Sequence, residues 1–261
     1  MVMAFGGGFV IGSLESSEPE CRNWVKKFGG VAISVSYRQV IETDLHRAGT
    51  KQDRLCPETP FPTGILDVHD AVKWIASNYH SFHADPKKGF VLAGTSSGAT
   101  AVCATSHLYR DEAISPPLTG VYLSIPGLCL VDALPLKYRI KEKAWEQNKD
   151  APIFNRATSN WLASFVNADT TDPLRSPLIW PTGHKDLPPH YFDIAGGDLW
   201  RDVGLIYEEI LREENDLKTK VDIFPGLPHG FWAMCPNAEF TKVHERTSEE
   251  GFRWLLEQGK Q

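Results

Sequence analysis

Five consecutive residues, Gly94-Thr95-Ser96-Ser97-Gly98, directly follow the apolar run at 90–93. This G-x-S-x-G pattern is typical of a sharp turn between a strand and a helix, which presents a serine as a nucleophile. An acid, Asp198, and a histidine, His229, each come just after another strand-like run. Ser96 therefore has the partners it needs, an imidazole to take its proton and a carboxylate to orient that imidazole. The pentapeptide alone would also fit an ordinary glycine-rich turn, so the prediction depends on all three residues.

Two neighbouring residues compete for these roles. Ser97 lacks glycines two positions away on either side, so Ser96 is the favoured nucleophile. Asp202 directly precedes a segment with an apolar helical stripe, which makes a helix N-cap its expected role and leaves Asp198 as the orienting acid. His229 lies in a loop after the last strand-like run, whereas the other eight histidines lie mostly in predicted helices or polar loops.

A second glycine-rich stretch, Gly6-Gly7-Gly8, follows the first strand-like run. Adjacent glycines allow backbone N–H groups to point at a ligand oxygen without side-chain clashes. The Ser97 amide would add a donor at the amino end of the next helix, where the helix dipole favours negative charge. We therefore predict that the backbone amides of Gly7, Gly8 and Ser97 form an oxyanion hole. A flexible tight turn is the alternative.

Aromatic residues flank these motifs, and two interpretations are equally open for them. They either line a pocket for the acyl or alcohol part of a substrate, or they pack in the core. The residues concerned are Phe9, Trp200, Phe231 and Trp232.

Short apolar runs alternate with segments of helical period, which is typical of βαβ units and a parallel sheet. The predicted strands are 1–5, 31–35, 90–93, 120–125, 191–195 and 220–224. The predicted helices are 19–28, 65–79, 99–110, 203–214 and 248–257. A segment that is charged first and aromatic later, residues 137–170, is predicted to be a helical cap insertion over the carboxyl ends of the strands. A solvated helix pair is the alternative, and residues 172–189 read as a long ordered loop.

With these motifs, the chain resembles the hormone-sensitive-lipase-type branch of the α/β-hydrolases, and especially its fungal esterase-like members. The family motifs H-G-G-G, G-D-S-A-G, D-P-L-R-D and H-G-F match stretches that begin at Phe5, Gly94, Asp198 and His229. The resemblance covers nearly the whole chain. It implies an α/β-hydrolase fold in one domain, 1–261, with a mostly parallel twisted sheet of about six strands flanked by helices. It also implies the same triad and oxyanion hole.

The chain departs from the family pattern in three places. Phe5 stands where the family has the histidine of its glycine motif. The family's N-terminal strands are missing, which exposes a sheet edge and favours association, with a homodimer as one expectation. Residues 39–54 interrupt a stretch that otherwise matches a family motif. If they are removed, the chain reads Ser-Tyr-Arg-Leu-Cys-Pro-Glu. We expect this segment to be a retained intron and the short amino terminus to be a similar error of gene prediction. An ordinary surface loop is the alternative.

The function that these residues predict is hydrolysis of small or medium acyl esters through an acyl-enzyme, by a serine carboxylesterase without metal or organic cofactor. Three alternatives stay open. The first is a non-hydrolytic small-molecule binder, the second an acyltransferase or cyclase of fungal secondary metabolism, and the third an inactive truncated product.

The amino-acid composition limits the classes of partner that the protein is expected to bind. The net charge of −6 gives no support to nucleic-acid binding or to an anionic membrane surface. No apolar run reaches the length of a membrane span. The five cysteines are scattered, odd in number and form no C-x-x-C, which indicates reduced thiols in a cytoplasmic protein and no zinc site. A small-molecule ester is therefore the expected partner.

Overall fold

The computed structural model describes residues 1–39 and 60–259. Its centre is a six-stranded sheet in the order β2-β1-β3-β4-β5-β6, in which every pairing is parallel. The strands are β1 Val2–Ala4, β2 Ile33–Val35, β3 Val91–Thr95, β4 Gly120–Ser124, β5 His190–Ala195 and β6 Thr219–Phe224. All six lie where the sequence predicts them. Apart from Gln39, the predicted insertion and the motif residues after it, up to Glu58, lie outside the described residues.

Nine α-helices occupy the described parts of the chain, and β-strands alternate with the longer of them. The helices are α1 Glu18–Phe28, α2 Thr63–Asn78, α3 Ser97–Asp111, α4 Leu136–Arg139, α5 Ala144–Gln147, α6 Arg156–Val166, α7 Arg201–Glu209, α8 Phe231–Met234 and α9 Glu239–Gln258. A π-helix, Ile210–Glu214, continues α7.

One predicted boundary is wrong, because α9 begins nine residues before the predicted start at Ser248. The first half of this helix buries Thr241 and His244, two polar side chains, while its charged residues face solvent. Phe240 and Val243 also pack inward, but the two polar residues interrupt the apolar stripe, which weakens the periodicity signal of an amphipathic helix there.

The sheet is covered on both faces, which is why its central strands are almost continuously apolar. On one face Val91, Tyr122 and Tyr191 pack with residues of α1 and α9, among them Trp24 and Phe252. The other face packs against α2, α3 and α7. The strand residues of that face are Val2, Leu92, Val121, Leu123 and Phe192. This alternation follows from the two-residue period of a strand.

The carboxyl ends of the six strands lie at one edge of the sheet because all pairings are parallel. The segment that follows β1 contains Gly6-Gly7-Gly8, and the turn after β3 contains Ser96. The segments after β5 and β6 contain Asp198 and His229. The topology thus brings four distant parts of the chain to one place.

The segment predicted to form a cap contains α4, α5 and α6, and the predicted loop at 172–189 contains a short 3₁₀ helix, Pro177–Ile179. Helix α6 ends at Val166, and residues 168–170 already lie in the following loop. Ser159 and Val166 are the buried residues of α6.

Candidate active site

Ser96 lies at the turn between β3 and α3 with φ 54° and ψ −118°, a backbone conformation that is strained for a residue with a side chain. The two flanking glycines make this turn feasible. A Cβ on Gly94 would lie 2.4 Å from the Gly98 carbonyl oxygen, and a Cβ on Gly98 would lie 2.2 Å from the Ala4 carbonyl oxygen. The turn is further held by the Ser96 amide, which donates to the Ser124 carbonyl at 2.9 Å. The G-x-S-x-G pattern is therefore a steric requirement here.

The imidazole of His229 lies between a hydroxyl and a carboxylate. Its Nε2 is 2.9 Å from Ser96 Oγ, and its Nδ1 is 2.6 Å from Asp198 Oδ2. In the tautomer with hydrogen on Nδ1, the ring donates to Asp198 and accepts from the serine. The structure thus brings together the three side chains predicted to form the triad.

Asp198 is held rigidly behind the histidine. Its second carboxylate oxygen accepts a hydrogen bond from the Trp200 amide at 3.0 Å, and its backbone carbonyl accepts one from the Asn148 side chain at 2.8 Å. The residue is 1% exposed and His229 is 8% exposed. A carboxylate with both oxygens bonded and almost no contact with solvent is well placed to stabilise an imidazolium ion.

The glycine stretch after β1 forms a turn that borders Ser96. The Gly7 carbonyl accepts from the amides of Val10 and Ile11 at 3.1 and 3.0 Å, and both Gly7 and Gly8 have positive φ, at 137° and 65°. Among the described residues, the amides of Gly7, Gly8 and Ser97 have no hydrogen-bond acceptor within the protein. All three residues line the same cleft as Ser96. These amides are therefore free to bind an oxyanion.

Phe5, which replaces the family's histidine, is buried and stacks on Tyr37 with ring centroids 4.4 Å apart. The Tyr37 hydroxyl donates to the Phe5 carbonyl at 2.7 Å. Burial raises the pKa of this phenol, so the hydroxyl keeps its proton. Tyr37 thus anchors the start of the glycine turn by packing and by a backbone hydrogen bond. Tyr37 was not among the predicted site residues, since the motif it belongs to is interrupted at residue 39.

The cleft beside Ser96 has a volume of about 460 Å³ and is lined mainly by apolar groups, as is usual for small-molecule sites. Phe9, Trp200 and Trp232 line it, and Phe9 and Trp200 are at the same time buried members of the main hydrophobic core. For Phe231 the pocket interpretation is wrong. It is 2% exposed and packs in the core against Phe224, so the alternative of core packing holds for this residue.

Two residues of the helical segment that were not predicted as site residues lie next to the histidine and the glycine turn. The Phe154 ring lies 4.6 Å from the His229 ring between centroids, and the Leu162 side chain lies close to Gly8. Both line the cleft. The aromatic character of this segment was the available signal for Phe154. No sequence signal distinguished Leu162 from other apolar helix residues.

Asp202 does not have the predicted role at its own helix. Helix α7 already begins at Arg201, and the Asp202 carboxylate instead accepts hydrogen bonds from the backbone amides of Lys143 and Ala144 at 2.7 and 2.8 Å. It therefore satisfies the free amides at the start of α5, a helix about sixty residues earlier in the chain.

In the part of the chain that the structure describes, no group of three His, Cys, Asp or Glu side chains could hold a metal ion. None of the described helices is both long and apolar enough to cross a membrane. Four cysteines, Cys21, Cys103, Cys129 and Cys235, are free thiols, and Cys56 lies outside the described residues.

Comparison with known proteins gives consistent matches. A protein family described as alpha/beta hydrolase fold matches residues 52–233. An AB hydrolase superfamily protein of Schizosaccharomyces pombe is 32% identical over 256 residues, which cover 98% of this chain and 70% of that protein. A versiconal hemiacetal acetate esterase of Dothistroma septosporum is 30% identical over 256 residues, with coverage of 98% and 73%.

Solved structures agree with the fold. The crystal structure of vibralactone cyclase matches with a TM-score of 0.87 and 33% identity, over 100% of this chain and 72% of that chain. An esterase of Pyrobaculum calidifontis matches with a TM-score of 0.79 over 100% of this chain and 76% of that chain. At 24% identity, this second similarity concerns the fold alone.

Proposed function

The chain belongs to the α/β-hydrolase fold family, and from this premise we propose that it hydrolyses small or medium acyl esters through a Ser96 acyl-enzyme. It is an esterase-type enzyme of the serine hydrolase kind. The observation that carries the proposal is the continuous hydrogen-bonded line from Ser96 through His229 to Asp198.

In the proposed reaction, His229 Nε2 removes the proton from Ser96 Oγ as that oxygen attacks the ester carbonyl carbon. The carbonyl oxygen becomes an oxyanion that the amides of Gly7, Gly8 and Ser97 stabilise. The imidazolium then protonates the leaving alcohol, and the acyl group stays on Ser96. Water, deprotonated by His229, repeats the sequence and releases the acid.

Helices α5 and α6 support the proposal that the segment at 137–170 acts as a cap. Asn148 in the connecting segment holds the Asp198 carbonyl, while Phe154 and Leu162 border the histidine and the glycine turn. Apolar side chains that cover a site in this way exclude water from the reacting groups and strengthen their electrostatic interactions.

The test is a chain-length series of p-nitrophenyl esters with purified protein. Ser96→Ala should abolish turnover, whereas Ser97→Ala should retain most of it, because the backbone amide of residue 97 survives that change. A serine-reactive fluorophosphonate should label the wild-type protein and Ser97→Ala but not Ser96→Ala. Equal esterase rates for the wild-type protein and Ser96→Ala would refute the serine mechanism.

Intramolecular acyl transfer is the second candidate, and the similarity to vibralactone cyclase favours it. The first half of the reaction would be the same, but a hydroxyl of the acyl group itself would replace water in the second half. A p-nitrophenyl ester of a hydroxy acid separates the two, because intramolecular transfer releases the lactone and hydrolysis releases the free hydroxy acid. Free hydroxy acid as the sole enzymatic product would argue against intramolecular transfer. Binding of a small molecule without turnover, unchanged in Ser96→Ala, would instead support the non-catalytic alternative.

Homodimerisation remains a prediction. Among the described strands, β2 has a partner on one side only, which leaves an edge suited to pairing. Light scattering after size-exclusion chromatography would determine the association state.

A further inference from the structure

Arg175 lies in the wall of the cleft that contains Ser96. Within the described residues its side chain makes one hydrogen bond, from Nη1 to the Gly127 carbonyl at 3.4 Å, which is long for a bond of this type. Two other arginines, Arg156 and Arg201, behave differently. Arg156 lies against the Glu146 carboxylate at 2.5 Å and Arg201 lies 2.7 Å from the Asp202 carboxylate.

No described carboxylate forms an ion pair with Arg175, although the residue is half-buried. Burial lowers the pKa of this guanidinium to about 10, and the nearby Cys129 thiol opposes that effect only in part. Buried cations in proteins are normally paired, because desolvation of an unpaired charge is costly. An arginine left without a counter-charge in a cleft is suited to a ligand that supplies one.

Arg175 is also connected to the nucleophile through a short series of contacts. The Gly127 carbonyl that it approaches also accepts from the Thr100 hydroxyl at 2.9 Å. The Thr100 amide donates to the Ser96 carbonyl at 3.1 Å, one helical turn from the serine. Arg175 and Ser96 also line the same cavity of about 460 Å³, a volume typical of a site for one small molecule.

The other charged side chain of the cleft wall lies elsewhere. Glu20 has His244, Asp193 and Glu245 as its charged neighbours, and burial raises its pKa. A second carboxylate is disfavoured beside Glu20, so among the described residues of the cleft wall Arg175 offers the position that suits an anionic substrate. The remaining wall is mainly apolar.

We propose that Arg175 is a specificity-determining residue that binds a carboxylate of the substrate, and that the preferred substrates are esters bearing a free carboxylate. This inference rests on the proposed ester hydrolysis at Ser96. A planar guanidinium binds a carboxylate through two parallel hydrogen bonds, which also orients the ester relative to the nucleophile.

The experiment compares 4-nitrophenyl hydrogen glutarate with its methyl ester, which has nearly the same shape but no charge. We expect the wild-type protein to favour the acid, and Arg175→Met to lower the ratio of kcat/KM for acid over methyl ester by roughly 10- to 100-fold, the range of a hydrogen bond to a charged group. Arg175→Lys should retain part of the preference, because it keeps the charge but loses the paired geometry. Arg156→Met, which removes a paired arginine of α6, should leave the ratio unchanged.

A second arm places the carboxylate on the alcohol part, with 3-acetoxypropanoate and its methyl ester as the pair. Preference for the acid in either arm, lost in Arg175→Met, supports the proposal and identifies the part of the substrate that Arg175 binds. An equal loss for charged and neutral esters, or a wild-type protein without preference in both arms, would overturn it.

A binding measurement separates this inference from the proposed function. Glutarate should raise the Tm of Ser96→Ala but not that of Ser96→Ala combined with Arg175→Met. Stabilisation by glutarate that requires Arg175, without hydrolysis of any ester, would refute the proposed function and leave the anion site standing. Hydrolysis of neutral and charged esters alike, without any shift by glutarate, would refute the anion site alone.

Discussion

The hydrogen bond from Tyr37 to the Phe5 carbonyl gives the sharpest prediction about the oxyanion turn. Tyr37→Phe removes one oxygen and keeps the ring that stacks on Phe5. The Phe5 carbonyl loses this donor in a buried environment, which costs about 1–3 kcal/mol. Because the Phe5 carbonyl directly precedes the glycine turn, we expect part of that free energy to appear as misplacement of the Gly7 and Gly8 amides.

The expected effect on catalysis has an upper bound. Complete loss of one oxyanion donor lowers kcat by about 10²–10³, whereas Tyr37→Phe only loosens the turn that holds two such donors. Since about 1.4 kcal/mol corresponds to a tenfold change in rate, we expect kcat to fall by about ten- to a hundred-fold. The assay is initial-rate hydrolysis of a p-nitrophenyl ester over a range of concentrations, with urea unfolding in parallel.

Tyr109→Phe is the matched control. Tyr109 is 3% exposed, compared with 4% for Tyr37, and its hydroxyl also donates to a backbone carbonyl, that of Pro116, at 2.6 Å. It lies near the far end of α3 and does not line the cleft. Both variants should lose similar stability, and only Tyr37→Phe should lose kcat. Unchanged kcat in Tyr37→Phe, or an equal loss in Tyr109→Phe, would refute the reasoning.

Three further predictions concern stability. Gly98→Ala should lower the free energy of unfolding by at least about 3 kcal/mol, because its Cβ would overlap a carbonyl oxygen of β1. Gly30→Ala is the control, since its Cβ has more room and should cost much less. Urea unfolding measures both. Asp193→Asn should cost about 3–5 kcal/mol at pH 6, since it breaks a buried pair with His244 at 2.6 Å. Burial alone would lower the pKa of His244, but Asp193 raises that pKa overall. The stabilisation by the His244–Asp193 pair is therefore complete below pH 6.5 and is lost as pH rises through the raised pKa. A cost of Asp193→Asn that does not change with pH would contradict a charged pair. Burial lowers the pKa of His190 to about 4. The neutral histidine therefore contributes about 3 kcal/mol to the free energy of unfolding above pH 6.5, and this contribution is lost as pH falls towards 4. The Tm of the wild-type protein should decline over that interval, and the Tm of His190→Asn should decline less steeply.

The candidate triad was predictable from the sequence because each residue follows directly after a strand. The carboxyl ends of parallel strands meet at one edge, so a serine turn after β3, an acid after β5 and a histidine after β6 are brought together by topology alone. The sharp turn at the serine was also predictable, from its two glycines, because the close approach of backbone segments there excludes every larger residue.

Residues whose function depends on long-range contacts were beyond prediction from the sequence. Phe231 and Trp232 are adjacent and both aromatic, yet one packs in the core and the other lines the cleft, because the short helix α8 turns their side chains in different directions. Asp202 has the residue type of an N-cap for its own helix, but the amides that it satisfies belong to a helix elsewhere in the chain.

The alternation of strands and helices, the serine turn and the order of the three chemical groups follow from local periodicity and backbone sterics, so they could be predicted from residue types alone. It took the folded chain to show that Tyr37 holds the oxyanion turn, that Phe154 lies over His229, and that Arg175 lines the cleft without a described counter-charge. These arrangements involve residues far apart in the chain, and their energies depend on burial, hydrogen bonding and ring packing, which no local pattern of residue types encodes.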